Sequence, residues 1–230
     1  MEKFVDMIVG VEDIPDSSEG YFHAMFSTPI LHLKVKNWNE KKSNLLNLFN
    51  DVSNKKETFK RAKLSHQFDV ETDYHYIHDN HDDENNDCNY DEEISNILLD
   101  ELQKVADIYE VSLEIVTSWF EKAAKGRCHS AHNHGSSGLS AVCFIEFDKN
   151  YHSPTVFVNP DTASDQLNFV PPHIDEGSLI VFPSNIIHFT EPNSSDKERI
   201  ILSFNLVVDR DFRFDESEDE DLEYRQYPRL

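Results

Sequence analysis

A mainly β domain with flanking helices, closed as a sandwich or barrel, is the fold class this sequence predicts, and three observations carry that expectation. Beyond Leu113, short apolar runs at 115–120, 139–147, 155–158, 178–182 and 199–208 alternate with turn residues. Four of the six glycines, Gly126, Gly135, Gly138 and Gly177, fall in that stretch, where tight turns or close backbone approach are needed. Ahead of it, Ile94, Ile97, Leu98, Leu102, Val105 and Ile108 recur at three- and four-residue steps, the pattern of an amphipathic helix covering a sheet face.

Taken in chain order, residues 1–20 read as a flexible leader with scattered acids around Pro15, Asp16, Ser17 and Ser18. From Phe22 the pattern changes, and Phe26, Pro29, Ile30, Leu31, Leu33 and Val35 read as a strand. A helix opened by Trp38 or Asn39 follows, with Leu45, Leu46, Leu48 and Phe49 as its apolar stripe and its end near Asn54. Residues 75–87 mix histidine with carboxylates; their unbroken polarity predicts a solvated loop rather than a metal site. The block 215–223 is acidic and reads as a solvated tail. The expected organisation is a leader over 1–20, one domain with helical N-terminal support over 21–212, and an acidic tail over 213–230.

A chain of 230 residues buries one good core, and its net charge of −23 disfavours nucleic acid and anionic membranes as partners. Three cysteines, Cys88, Cys128 and Cys143, show no CxxC spacing and suit a reducing compartment. With no secretory leader pattern and no apolar stretch of membrane-spanning length, the expected location is the cytoplasm, or a host cytoplasm if the chain is viral.

The sequence His132-Asn133-His134, followed by His188, carries the chemistry. An extended His-X-His segment points both rings to one face, because side chains alternate with period two. His188 follows a glycine-bounded apolar run and a Pro-Ser-Asn turn, so a second strand region delivers a third imidazole. Such a set suits iron, zinc, copper or nickel. On the last run, Arg199, Ile201, Ser203 and Asn205 share one face and Ile200, Leu202, Phe204 and Leu206 the other. An inward arginine calls for an anion, and an acid co-substrate is the expected one; the plain alternative is an exposed Arg199 paired with Glu191 or Glu198. Trp119, Phe144 and Phe157 are candidate walls of a dry pocket, or plain core.

These segments together, 126–144 with its His132-Asn133-His134-Gly135, Phe157-Val158-Asn159-Pro160, Gly177 through Ser184 and His188, and 199–205, resemble the 2-oxoglutarate and iron(II)-dependent oxygenases found in marine bacteria and phages. Thr28-Pro29-Ile30 resembles that family's opening, and the likeness spans roughly 25–208 in outline. The resemblance implies a double-stranded β-helix (jelly-roll) core that holds iron(II) between its sheets and binds 2-oxoglutarate. It also implies a dioxygenase hydroxylating a small molecule or protein side chain with O2. By position His132 and His188 would be ligands, and His134 stands where most such enzymes carry a carboxylate; Asp161 is the alternative acid. Arg199 would pair with the distal carboxylate of 2-oxoglutarate, with Ser203 as a hydrogen-bond helper. The same residues approximate the two cupin half-motifs, which leaves a three-histidine cupin metalloenzyme, dioxygenase or isomerase, and a non-catalytic jelly-roll binding protein as alternatives.

Overall fold

The computed structural model describes residues 21–25, 28–55, 58–61, 70–79, 89–159 and 168–209. The predicted leader, the acidic tail, Asp161 and residues 80–87 lie outside them. Within these residues, eleven strands form two antiparallel sheets. The larger contains β1 (Tyr21–Met25), β2 (Thr28–Lys34), β3 (Lys60–Arg61), β4 (Glu71–Thr72), β5 (Ser112–Ala123), β6 (Leu139–Glu146), β9 (Ser178–Pro183) and β11 (Arg199–Asp209), in the order β1-β2-β9-β6-β11-β5-β4-β3. The smaller contains β7 (Thr155–Val158), β8 (Asn168–Phe169) and β10 (His188–Thr190), in the order β10-β7-β8.

Period-two alternation sorts the large sheet into two faces. Leu139, Ala141, Cys143 and Ile145 of β6, Leu179 and Val181 of β9, and Ile200, Leu202, Phe204 and Leu206 of β11 pack in one core with the helices. Their alternates Val142, Phe144, Ile180, Phe182 and Ile201 pack in a second core with Phe157 of the small sheet. That second core lies between the sheets, and the polar members of the same face of β11 open beside it. The division between Arg199/Ser203/Asn205 and the apolar set of β11 is therefore the one expected from the sequence.

Among the described residues, four helices cover the outer face. α1 (Trp38–Ser53) buries Leu45, Phe49 and Val52, spaced at four and three residues. α2 (Tyr74–Asp79) is a short helix inside the stretch predicted to be a loop. α3 (Asp91–Ile97) and α4 (Leu99–Tyr109) replace the one helix expected there. The chain leaves helical angles at Leu98, φ −100 and ψ 19, and so turns the Leu98 side chain wholly into the core. Glu101 is buried on α4, where it accepts hydrogen bonds from the Lys36 N–H at 2.8 Å and from Lys41 Nζ at 2.7 Å; these offset its desolvation.

Gly177 starts β9 at φ +77, and a Cβ there would stand 2.9 Å from the Trp38 ring. Gly126 has the same φ of +77 with open space around it. Both Gly→Ala variants lose the left-handed freedom of glycine, but only one adds a clash. Chemical denaturation should show Gly177→Ala less stable than Gly126→Ala by about 1–3 kcal/mol, the usual range for overpacking; equal losses would mean that the contact with Trp38 sets no constraint.

Candidate metal centre

The three histidines singled out in the sequence converge, although His132 and His134 lie on the loop between β5 and β6 rather than in a strand. An isolated antiparallel bridge aligns His132 with His188. The His132 N–H donates to the His188 carbonyl at 3.0 Å, and the His188 N–H to the His132 carbonyl at 2.9 Å. The His134 N–H donates to the Ser184 carbonyl at 2.8 Å, so backbone pairing with the small sheet and the turn after β9 places all three side chains. One ligand atom from each imidazole lies within 4.8 Å of those of the other two.

Their tautomers are fixed from behind. Nδ1 of His132 lies 2.7 Å from the Ser130 carbonyl and Nδ1 of His188 lies 2.9 Å from the Ile186 carbonyl. A carbonyl oxygen only accepts, so both Nδ1 atoms carry protons. Nδ1 of His134 is 2.8 Å from Asn205 Oδ1, which also accepts from the Ser140 hydroxyl. Each Nε2 is then left with a lone pair. Nε2 of His132 and His134 approach to 3.2 Å with no proton between them in these tautomers, an arrangement that a cation between the nitrogens suits. Desolvation, reinforced by neighbouring histidines, lowers all three pKa values, His132 to about 3 and His188 well below the usual range. The neutral form is the one that coordinates.

Beside this cluster lies a second buried group, of which the sequence pointed only to Arg199. Arg199 is only 2% exposed and is not the surface residue of the plain alternative. Its Nη2 donates to Glu121 Oε1 at 3.1 Å and to Thr190 Oγ1 at 3.1 Å, and its Nη1 donates to the Ser153 carbonyl at 2.9 Å; Nε finds no partner among the described residues. The inward guanidinium therefore has an internal anion, contrary to the expectation that an acid co-substrate alone would explain it. The other oxygen of Glu121, Oε2, accepts from His129 Nδ1 at 2.6 Å. Desolvation alone would raise the Glu121 carboxyl, but His129 and Arg199 outweigh it and bring it down to about 2. His129 stacks on His132 with centroids 3.9 Å apart. The series Arg199–Glu121–His129 thus ends against one of the three imidazoles.

Two cavities adjoin the cluster. A cavity of about 20 Å³ between the sheets is lined by Trp119, Glu121, Thr155, Thr190 and Ser203 together with His132, His134 and His188. An outer cavity of about 250 Å³ is lined by Val70, Thr72, Tyr74, His75, Trp119, His129, His132, Asn133, His134 and Asn205. Of the aromatic candidates, Trp119 walls both cavities, whereas Phe144 and Phe157 belong to the inner core. Phe157 backs His188 at 6.0 Å between ring centroids.

Several site-lining residues were missed in the sequence. Glu121 shares a face of β5 with Trp119 and Ala123, two residues away on either side, which was the available signal for its inward face; the pairing of Ala123 with Arg199 across the sheet was not. His75 was assigned to a solvated loop, yet α2 brings it and Tyr74 to the outer cavity. Asp73 secures that helix, accepting from the Phe120 N–H at 2.9 Å and from the Tyr90 hydroxyl.

Residues 117–205 match the family described as "Putative 2OG-Fe(II) oxygenase". No curated protein sequence matches the chain. Among solved structures, the non-heme alpha ketoglutarate dependent carbocyclase SnoK from nogalamycin biosynthesis is 10% identical, with TM-score 0.55 over 79% of this chain and 80% of that one. EctD from S. alaskensis, in its apoform, is 14% identical, with TM-score 0.55 over 86% and 80%. HygX from Streptomyces hygroscopicus with nickel and 2-oxoglutarate bound is 9% identical, with TM-score 0.51 over 78% and 82%. These likenesses establish the jelly-roll fold. The match over 117–205, which contains His132, His134, His188 and Arg199, points to an enzyme of dioxygenase type that uses iron(II) and 2-oxoglutarate. No helix among the described residues is long and apolar enough to cross a membrane.

Burial raises the Asp73 carboxyl to about 7, against the opposing hydrogen bonds from Tyr90 and Phe120. The folded state thus keeps a proton that an unfolded aspartate loses near pH 3.9. That contribution to stability is complete below about pH 4 and is lost as pH rises through about 7. Between pH 5 and pH 8, urea unfolding should show wild type losing stability relative to Asp73→Asn; parallel pH profiles would contradict the assignment.

Proposed function

We propose that His132, His134 and His188 hold iron(II) through their Nε2 atoms and that the enzyme hydroxylates a C–H bond of a substrate group seated in the outer cavity. The observation that carries this reading is the set of three Nδ1–H donors, each engaged by an oxygen, which leaves three lone pairs facing one another. Three protein ligands leave coordination positions open, as a catalytic rather than a structural site requires.

Bound iron(II), with 2-oxoglutarate and O2, supplies an oxidant able to insert oxygen into a C–H bond as 2-oxoglutarate is decarboxylated to succinate and CO2. This chain's residues do the rest. The Ser130 and Ile186 carbonyls and Asn205 hold the Nδ1–H groups and keep the three imidazoles correctly turned, while burial keeps the rings neutral. Arg199 is the residue for the distal carboxylate of 2-oxoglutarate, because a guanidinium fork binds a carboxylate with charge-assisted hydrogen bonds; Ser203 lines the small cavity beside the three imidazoles and Arg199's partners Glu121 and Thr190, and adds a hydroxyl. Trp119 lines both the inner and the outer cavity and gives each an apolar wall. Val70 and Tyr74 give the outer cavity apolar walls, while Thr72, Asn133 and Asn205 give it hydrogen-bonding groups. Its volume of about 250 Å³ suits a single side chain or a small molecule of similar size.

Calorimetry should show His132→Ala and His188→Ala losing tight iron(II) binding, because each leaves an incomplete site. His134→Asp creates the two-histidine, one-carboxylate set and should retain it. Anaerobic addition of 2-oxoglutarate to the iron(II) protein should produce a weak visible charge-transfer band. Equal iron affinity in wild type and both alanine variants would remove the metal site, and iron binding without that band would favour a three-histidine metalloenzyme of the cupin type.

A further inference from the structure

We infer that Glu121 is an internal occupant of the carboxylate seat on Arg199, and that 2-oxoglutarate loads by exchanging with it. This rests on the oxygenase reading and adds a step to it. Three observations support the exchange. The seat is already filled, since Glu121 Oε1 holds Arg199 Nη2 at 3.1 Å with both side chains 2% exposed. The cavity between Arg199's partners and the imidazoles is only about 20 Å³, room for roughly one water and too little for a five-carbon diacid. The two oxygens of Glu121 have separate partners, so Oε1 can leave Arg199 while Oε2 stays on His129 Nδ1, 2.6 Å away.

An entering carboxylate next to Glu121 also meets a like charge at close range in a buried site, which opposes loading until Glu121 moves. Swinging the Glu121 side chain toward His129 removes that repulsion and enlarges the inner cavity in one movement. His129 is then a positioning residue: it offers Glu121 a partner once Arg199 is released. No covalent bond is made or broken, and no proton changes hands.

The test is anaerobic calorimetric titration of 2-oxoglutarate into the iron(II)-loaded full chain. Glu121→Gln keeps the shape and removes the charge, and should bind 2-oxoglutarate at least tenfold more tightly than wild type. His129→Phe keeps a ring stacked on His132 but removes the N–H, and should bind it several-fold more weakly, because Glu121 then has no partner except Arg199. Wild-type binding that Glu121→Gln fails to improve would overturn the exchange alone, and would make Glu121 a residue that merely orients Arg199. Absence of 2-oxoglutarate binding by either protein, with iron bound, would instead overturn the co-substrate reading on which the exchange rests. Should Glu121→Gln lose the native melting transition, Glu121→Asp, which keeps the charge but reaches less far, is expected to bind more tightly than wild type, and equal or weaker binding overturns the exchange.

Discussion

Three imidazole nitrogens with their lone pairs turned toward one another repel unless a cation lies among them, and most of what surrounds the site serves to keep them there. The Ser130 and Ile186 carbonyls and the Asn205 side chain accept hydrogen bonds from the Nδ1–H groups. The bridge between His132 and His188 fixes their register, and the His134 N–H to Ser184 hydrogen bond fixes the third. These partners come from the β5–β6 loop, the turn after β9 and the last strand, so the constraint spans both sheets. A jelly roll supplies that span because its strands approach one another from opposite layers. Gly138, at φ +85, lets the loop return against β11, where a Cβ would meet the Leu206 carbonyl at 2.6 Å.

The buried charges form the second constraint. Arg199 and Glu121 lie on one face of adjacent strands, β11 and β5, with Arg199 opposite Ala123 in register and Glu121 two residues further along. Neither group has water in which to spread its charge, so each requires the other, and removing one alone would leave an unpaired ion in the interior. The pair is tied through His129 to the ring of His132. On the proposed reading, the anion end and the metal end of the site are therefore one connected assembly rather than two independent clusters.

Much of this was legible in the sequence because it depends on periodicity and spacing. The β11 alternation, the apolar runs of β6 and β9, and α1 over Trp38–Ser53 follow from local pattern, and His132, His134 and His188 were recognisable from residue type and flanking turns. What was not legible depends on pairing between distant segments. A glutamate on β5 reads as any strand acid until its neighbour is known, and Arg199 then appears to need an external anion. The stretch 75–87 read as a polar loop because the six-residue helix that overlaps its start shows too little periodicity, and that helix's place is set by Asp73 bonding to Phe120 and Tyr90. The break at Leu98 has no sequence signal such as proline or glycine, because it follows from the seating of one leucine in the core.

The central claim is that three histidine Nε2 atoms, and no carboxylate, make up the protein's share of the metal site. X-ray absorption of the anaerobic iron(II)-loaded protein, before any 2-oxoglutarate is added, addresses it directly. The account predicts outer-shell scattering from three imidazole rings, falling to two in His134→Asp. Two rings in the wild type, with a protein carboxylate in the third position, would contradict it.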